Sequence, residues 1–175
     1  MGWSRRAAVL VLTVAGLFVS TYLALFQYHL INAVRDPLFG ATSSEAVLTS
    51  AFSRALPVHD AALGGVAYLV ETVLEAAGGP RRWQRRAWIV LLLGLTAAVM
   101  ALTALGLIAV QATVVHRFCA LCLVSAGISL VVPFLVRQEV MAAARQVHRG
   151  RRLGVPWRLA LLGRIPEETP LTARR

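Results

Sequence analysis

The sequence predicts an all-α integral membrane protein, a bundle of four transmembrane helices with a short amphipathic helix on its outer loop. Three observations predict it. Of the 175 residues, 58% are hydrophobic, against roughly 45–50% in a soluble domain. Several long stretches carry no Asp, Glu, Lys or Arg. The arginines gather where successive stretches would return to one side of a membrane.

The spans follow in chain order. Ala7 to Leu30 and Trp88 to Val115 are charge-free, and both exceed the roughly 20 residues that cross a hydrocarbon core. Phe118 to Val136 is also charge-free and just long enough. Ala61 to Ala77 is interrupted by Glu71 and Glu75. Both acids lie near Arg81, Arg82, Arg85 and Arg86, where they reach the interface or pair with those arginines. The expected domain is therefore residues 1–138, with spans at about 7–30, 61–77, 88–115 and 118–136. A basic tail, 139–175, follows.

The net charge of +10 comes from arginine, with no lysine in the chain. Arg5, Arg6, the Pro80–Arg86 loop and the nine arginines from Arg137 onward fall on one side of the predicted bundle. Only Arg35, Arg54 and Arg117 fall on the other. The positive-inside rule then places both termini in the cytoplasm of a multi-pass cell-membrane protein. This segregation argues for topology and anionic lipid attraction rather than nucleic-acid binding. The rival reading of "SRRAAVL" is a twin-arginine export signal. Its apolar stretch is too long and lacks a clean cleavage site, which favours a retained helix. In the tail, the fourth helix is expected to continue to Gly150 as its C-cap. Trp157 among arginines suits the membrane interface, and "PEETPLTARR" reads as disordered.

The outer loop, Asn32 to Asp60, carries its own signals. Thr42 and Glu45 fit a capping box. Val47, Leu48, Ala51, Phe52, Ala55 and Leu56 then recur at helical spacing until Pro57. The expected helix either covers a pocket between the spans or lies at the interface.

The only two cysteines, Cys119 and Cys122, open the fourth span. At i and i+3 they share a helix face, close enough for a disulfide after slight adjustment. A helix N-terminus favours the thiolate, and Arg117 adds positive charge. A redox pair is one reading; two small buried hydrophobes is another. Metal binding is a third, although His116–Cys122 is a poor match to zinc patterns, and no metal site is expected. A redox pair at this depth needs an electron acceptor, and a membrane quinone is the obvious one.

With these features together, the chain resembles the vitamin K epoxide reductase family in its bacterial branch. The C-x-x-C opening the last helix matches, as does "GLFVSTYLAL", Gly16 to Leu25. "SSEAVLTSAFSRALPVHDAALGGVAYL" resembles the segment that caps the family's quinone pocket. The likeness covers roughly residues 7–138. It implies a membrane thiol–disulfide oxidoreductase with Cys119 and Cys122 as catalytic residues and a menaquinone- or ubiquinone-type quinone at the outer end. Cys122 would face the quinone and Cys119 would exchange with a thioredoxin-like protein. Ser50, Phe52, Tyr22 and Phe118 are the expected quinone contacts.

Two departures stand out. The family's loop shuttle cysteines are replaced, the later by Ser44 and the earlier near Asp36. A tyrosine that some members carry four residues after the C-x-x-C is Ala126 here. The alternative is therefore a non-catalytic membrane binding or assembly protein that has lost the relay. Among other polar residues, Asp60 is expected to cap the second span. His29 and Tyr22 are packing or pocket residues, and Pro133 is expected to kink the fourth span.

Overall fold

A computed structural model describes residues 3–50, 53, 58–77 and 82–163. Among these the chain is helical: α1 Trp3–Gln27, α2 Ala41–Leu48, α3 Asp60–Ala76, α4 Arg82–Arg85, α5 Ala87–Val110, α6 Ala120–Arg152 and α7 Trp157–Leu161. A π-helical turn, Gln111–Val115, extends α5. Three helices are long and apolar enough to cross a membrane: α1, α5 with its π-turn, and α6. The chain is a membrane protein. The fourth long helix, α3, has 17 residues, about 25 Å at 1.5 Å per residue.

Side-chain contacts fix the directions. Gln27, at the end of α1, bonds Asp60 at the start of α3, while Arg6 bonds Glu75 at the other end. The two helices are therefore antiparallel. Tyr68 of α3 meets Ser125 and Ser129 of α6, and Arg82, just beyond α3, meets Glu139. So α3 and α6 run the same way. Cys119 and the start of α3 thus share one end, and Arg6 and Arg82 share the other, the arginine end.

The core is a seam of Val9, Tyr68, Leu93, Ala97, Val132 and Val136. Many large apolar side chains on the outside are exposed, among them Phe18, Leu102 and Phe134, as expected of surface that lipid covers. At Gly16 the α1 backbone lies against the Tyr68 ring, so that a Cβ would sit 2.5 Å from Tyr68 Cζ. At the arginine end, Arg82 bridges Glu75 and Glu139 at 2.7 and 2.9 Å, and Arg6 joins Glu75 at 3.2 Å. Glu75 pairs with arginine as one of the two expectations held; Glu71 does not.

Three expectations change. Thr42 caps nothing: α2 begins at Ala41, with Gly40 in a left-handed conformation (φ 80°) as its N-cap. Glycine adopts that conformation without steric cost, so the chain enters the helix two residues earlier than the capping box implied. Gly150 is buried inside α6 rather than ending it. Gly154, at φ 76°, takes that role. The Val155 N–H bonds the Gly150 carbonyl and the Gly154 N–H bonds the Arg151 carbonyl, a Schellman arrangement. Asp60 is the first residue of α3, not its cap, which is His59. Residues 51, 52 and 54–57, where the amphipathic face was expected to continue, and the tail beyond 163 lie outside the described residues.

Candidate functional site

The site forms where α1, α3, the π-turn and α6 meet beneath α2. Cys119 is the N-cap of α6, one position before the helix rather than inside it. Its extended backbone turns the sulfur back over the first turn, where Sγ accepts the Cys122 N–H at 3.2 Å. The two cysteines are therefore adjacent, as their spacing predicts. Their surroundings differ. Cys119 is fully buried, packed with Leu23, Val34 and Leu48. Cys122 lines a cavity of about 520 Å³, within the usual range for small-molecule sites.

That cavity is mostly apolar, walled by Leu23, Leu48, Leu63, Val99, Met100 and Leu107. A few polar groups converge on it: Asp60 and Gln111 at the cysteine end, and Ser125 and Ser129 further along α6. Asp60 Oδ1 accepts from Gln27 Nε2 and from Ser53 Oγ, both at 2.6 Å. Gln27 also donates to the Leu48 carbonyl and accepts the Ala61 N–H. This buried amide ties α1, α2 and α3 together at the cysteine end. Ser125 and Ser129 are held from behind by Tyr68. Its hydroxyl donates to the Ser125 carbonyl at 2.6 Å and shares a hydrogen bond with Ser129 Oγ at 2.7 Å. Ala126, where some relatives carry tyrosine, also lines the cavity.

Gln111 follows Ala104 and Leu107 at α-helical spacing on the cavity face of α5 and opens the π-turn; its Oε1 accepts the Cys119 N–H at 3.2 Å. π-turns occur often at functional sites, and no side-chain pattern announces them. Beyond the turn, His116 takes a left-handed conformation (φ 51°), which reverses the chain into Cys119.

Above Cys119 the loop closes. Asp36 Oδ1 accepts the N–H groups of Leu38 and Phe39, both at 2.9 Å. Its Oδ2 accepts the Ser44 hydroxyl and the Ala120 N–H, the latter at 2.8 Å. Burial pushes the Asp36 carboxyl up, but these bonds from Phe39, Ser44, Leu38 and Ala120 outweigh it and hold the group down at about 2. Ser43 donates to the Phe118 carbonyl at 2.7 Å. Asp36 and Ser44 are thus bonded to each other, over the buried sulfur.

The remaining expected contacts fall elsewhere. Among the described residues, the cavity lining does not include Tyr22, Ser50 or Phe118. Tyr22 accepts the Arg35 N–H at 3.0 Å, and Ser50 accepts that of Ser53. The Phe118 ring stacks at a tilt on Phe39, 5.8 Å between centroids. Phe52 lies outside the described residues. The residues that sequence reading missed are Gln27, Gln111, Ser125 and Ser129. Among the described residues no three His, Cys, Asp or Glu side chains gather as a metal site.

No curated protein matches the chain in a sequence search. The model described as "Vitamin K epoxide reductase family" matches residues 7–136. That span runs from within α1 to the middle of α6 and holds the loop, the cavity and both cysteines. The chain belongs to the vitamin K epoxide reductase family, whose members are in general membrane thiol–disulfide oxidoreductases.

Proposed function

We propose that this protein passes electrons from a thioredoxin-like dithiol protein, through Cys119 and Cys122, to a membrane quinone. The observation that carries this reading is the split between the two sulfurs. Cys122 opens on an apolar cavity, while Cys119 is shut from it beneath Asp36 and Ser44. One sulfur serves the membrane side of the reaction and the other serves the incoming thiol.

The cavity chemistry fits a quinone. Apolar walls suit the ring and tail, and Asp60, Ser125 and Ser129 offer polar contacts for ring oxygens. A bound quinone supplies a two-electron acceptor. The chain supplies the rest: Cys122 beside the acceptor, Cys119 within reach of Cys122, and Gln111 holding the Cys119 backbone. A partner thiolate attacks Cys119 in the disulfide and releases Cys122 as a thiolate, which takes up a proton; the partner's second thiol then displaces Cys119, leaving the partner oxidised and both cysteines reduced. Burial of Cys119 requires the Asp36–Ser44 closure to lift first. With the shuttle cysteines absent, that opening takes the place of an internal relay. In this reading the core domain, 1–138, crosses the membrane four times, with the cysteines outside and both termini and the 139–175 tail in the cytoplasm.

The test is thiol counting. The protein is reduced, freed of reductant, reconstituted in lipid and given a quinone without oxygen. Loss of both thiols by mass, and failure of Cys122→Ser to react, supports the reading. Thiols that persist sink it. The closed loop over Cys119 would then favour a scaffold that binds or assembles without exchanging electrons.

A further inference from the structure

One buried polar group has no part in the electron path. Glu71 lies about two-thirds of the way along α3 and is 1% exposed. Both of its carboxyl oxygens lack a hydrogen-bond partner, and so does the neighbouring Thr72 hydroxyl. A membrane-spanning helix rarely keeps such a group, and one that persists marks an ion or proton path by default. An ionised carboxylate without a partner is costly in that setting. The neutral acid is the form that can be held there and release a proton.

The position of Glu71 gives it two connections. On the cysteine side, Tyr68 is three residues away on the same helix face. Its hydroxyl already bonds Ser125 and Ser129, which line the cavity. On the arginine side, Glu75 is four residues away on the same face. Glu75 pairs with Arg6, whose side chain is 12% exposed. Asp60, Gly64, Tyr68, Glu71 and Glu75 thus make one seam along α3, in steps of three or four residues, from cavity to arginine end. No competing ionisable side chain comes from the other helices at this depth. Residues 7–27 of α1 include only Tyr22, near the other end, α5 has none, and α6 has none from Leu123 to Val136.

We propose that Glu71 holds a proton for the cavity and draws its replacement from the arginine end of the bundle. The inference rests on the quinone reading above. As the S–S bond forms, the two thiols lose two electrons and two protons, and the electrons go to the bound quinone. Cys122 gives its proton to one quinone oxygen. Glu71 gives one, through Tyr68 and Ser129, to the other. The Cys119 proton leaves to water at the cysteine end. Glu71 recovers its proton past Glu75 from water at the arginine end. Each turnover therefore moves one proton's worth of charge across the bundle.

The test uses the full chain in sealed vesicles with a quinone in the bilayer and a pH dye trapped inside. A membrane-impermeant thiol reductant outside drives only molecules whose cysteine end faces out, and Cys122→Ser vesicles give the background. The expected result is that the interior turns alkaline as quinone is reduced. Glu71→Gln abolishes that change and slows reduction, and Glu71→Asp restores part of both. Quinone reduction by the native chain with no internal pH change overturns the proposal and leaves the electron path standing. If quinone is not reduced at all, both readings fall. Should Glu71→Gln not fold, the native chain decides alone.

Discussion

Among the described residues of the loop, Asp36 gathers the most hydrogen bonds on one side chain. Four donors converge on its carboxylate, two from the loop backbone, one from Ser44 and one from the first turn of α6. An acid at a helix N-terminus is stabilising, and replacing such a cap costs about 1 kcal/mol. Asp36→Ala should therefore lower the unfolding temperature in detergent and speed alkylation of Cys119. The pH sign follows from the depressed carboxyl. The folded value, about 2, lies below the ordinary 3.8, so its contribution is complete above the ordinary value and fades as pH falls through the folded one. The stability gap between native protein and Asp36→Ala should be constant near neutrality and close in that acid window. A gap that persists unchanged in acid would show that the carboxylate charge is not what stabilises the loop.

At the level of elements, the α1–α3 contact is set by one missing side chain. A Cβ at Gly16 would meet the Tyr68 ring, and that ring cannot slide away while Ser125 and Ser129 hold its hydroxyl. Overpacking of this kind costs roughly 1–3 kcal/mol. Gly16→Ala should destabilise the bundle by that order and loosen the wall behind the cavity. Gly106→Ala meets nothing within 4 Å and should be neutral or slightly stabilising. Equal unfolding midpoints for the two variants would refute the contact. Gly16 was legible only as part of a motif, since a sequence does not say which ring a glycine admits. The long helices were legible because unbroken apolar runs have few other solutions. The start of α2 was not, because Gly40 offered the backbone an entry that competed with the Thr42 box. The π-turn had no signal at all: it changes the backbone path that follows Gln111, not the side-chain pattern. Cys119 and Cys122 were readable from spacing, but the separation of their environments required the folded helix ends.

Across the molecule, the two ends are built differently. The cysteine end is held by neutral and singly charged hydrogen bonds around Gln27 and Asp36. The arginine end is held by ion pairs, with the Arg82 side chain fully buried between Glu75 and Glu139. A buried pair is weak evidence of net stability, but removing one partner typically costs 3–5 kcal/mol. Arg82→Met should unfold the bundle at markedly lower temperature, because Glu139 is left buried without its cation. Arg82→Met with Glu139→Gln should recover part of the loss. If the double variant is no better than the single one, Arg82 matters for its packing rather than its charge. The contrast suits the chemistry assigned to each end: a rigid base, and a mouth whose weaker bonds can part.

The sulfur of Cys119 is sealed while its neighbour three residues on is open to the cavity. The pair is therefore a built-in stopwatch. A small maleimide should modify Cys122 at a rate set by diffusion into the cavity, but Cys119 only as fast as the loop breathes. The lag between the first and second mass additions then reports the rate of that local opening, with no ligand or partner protein required.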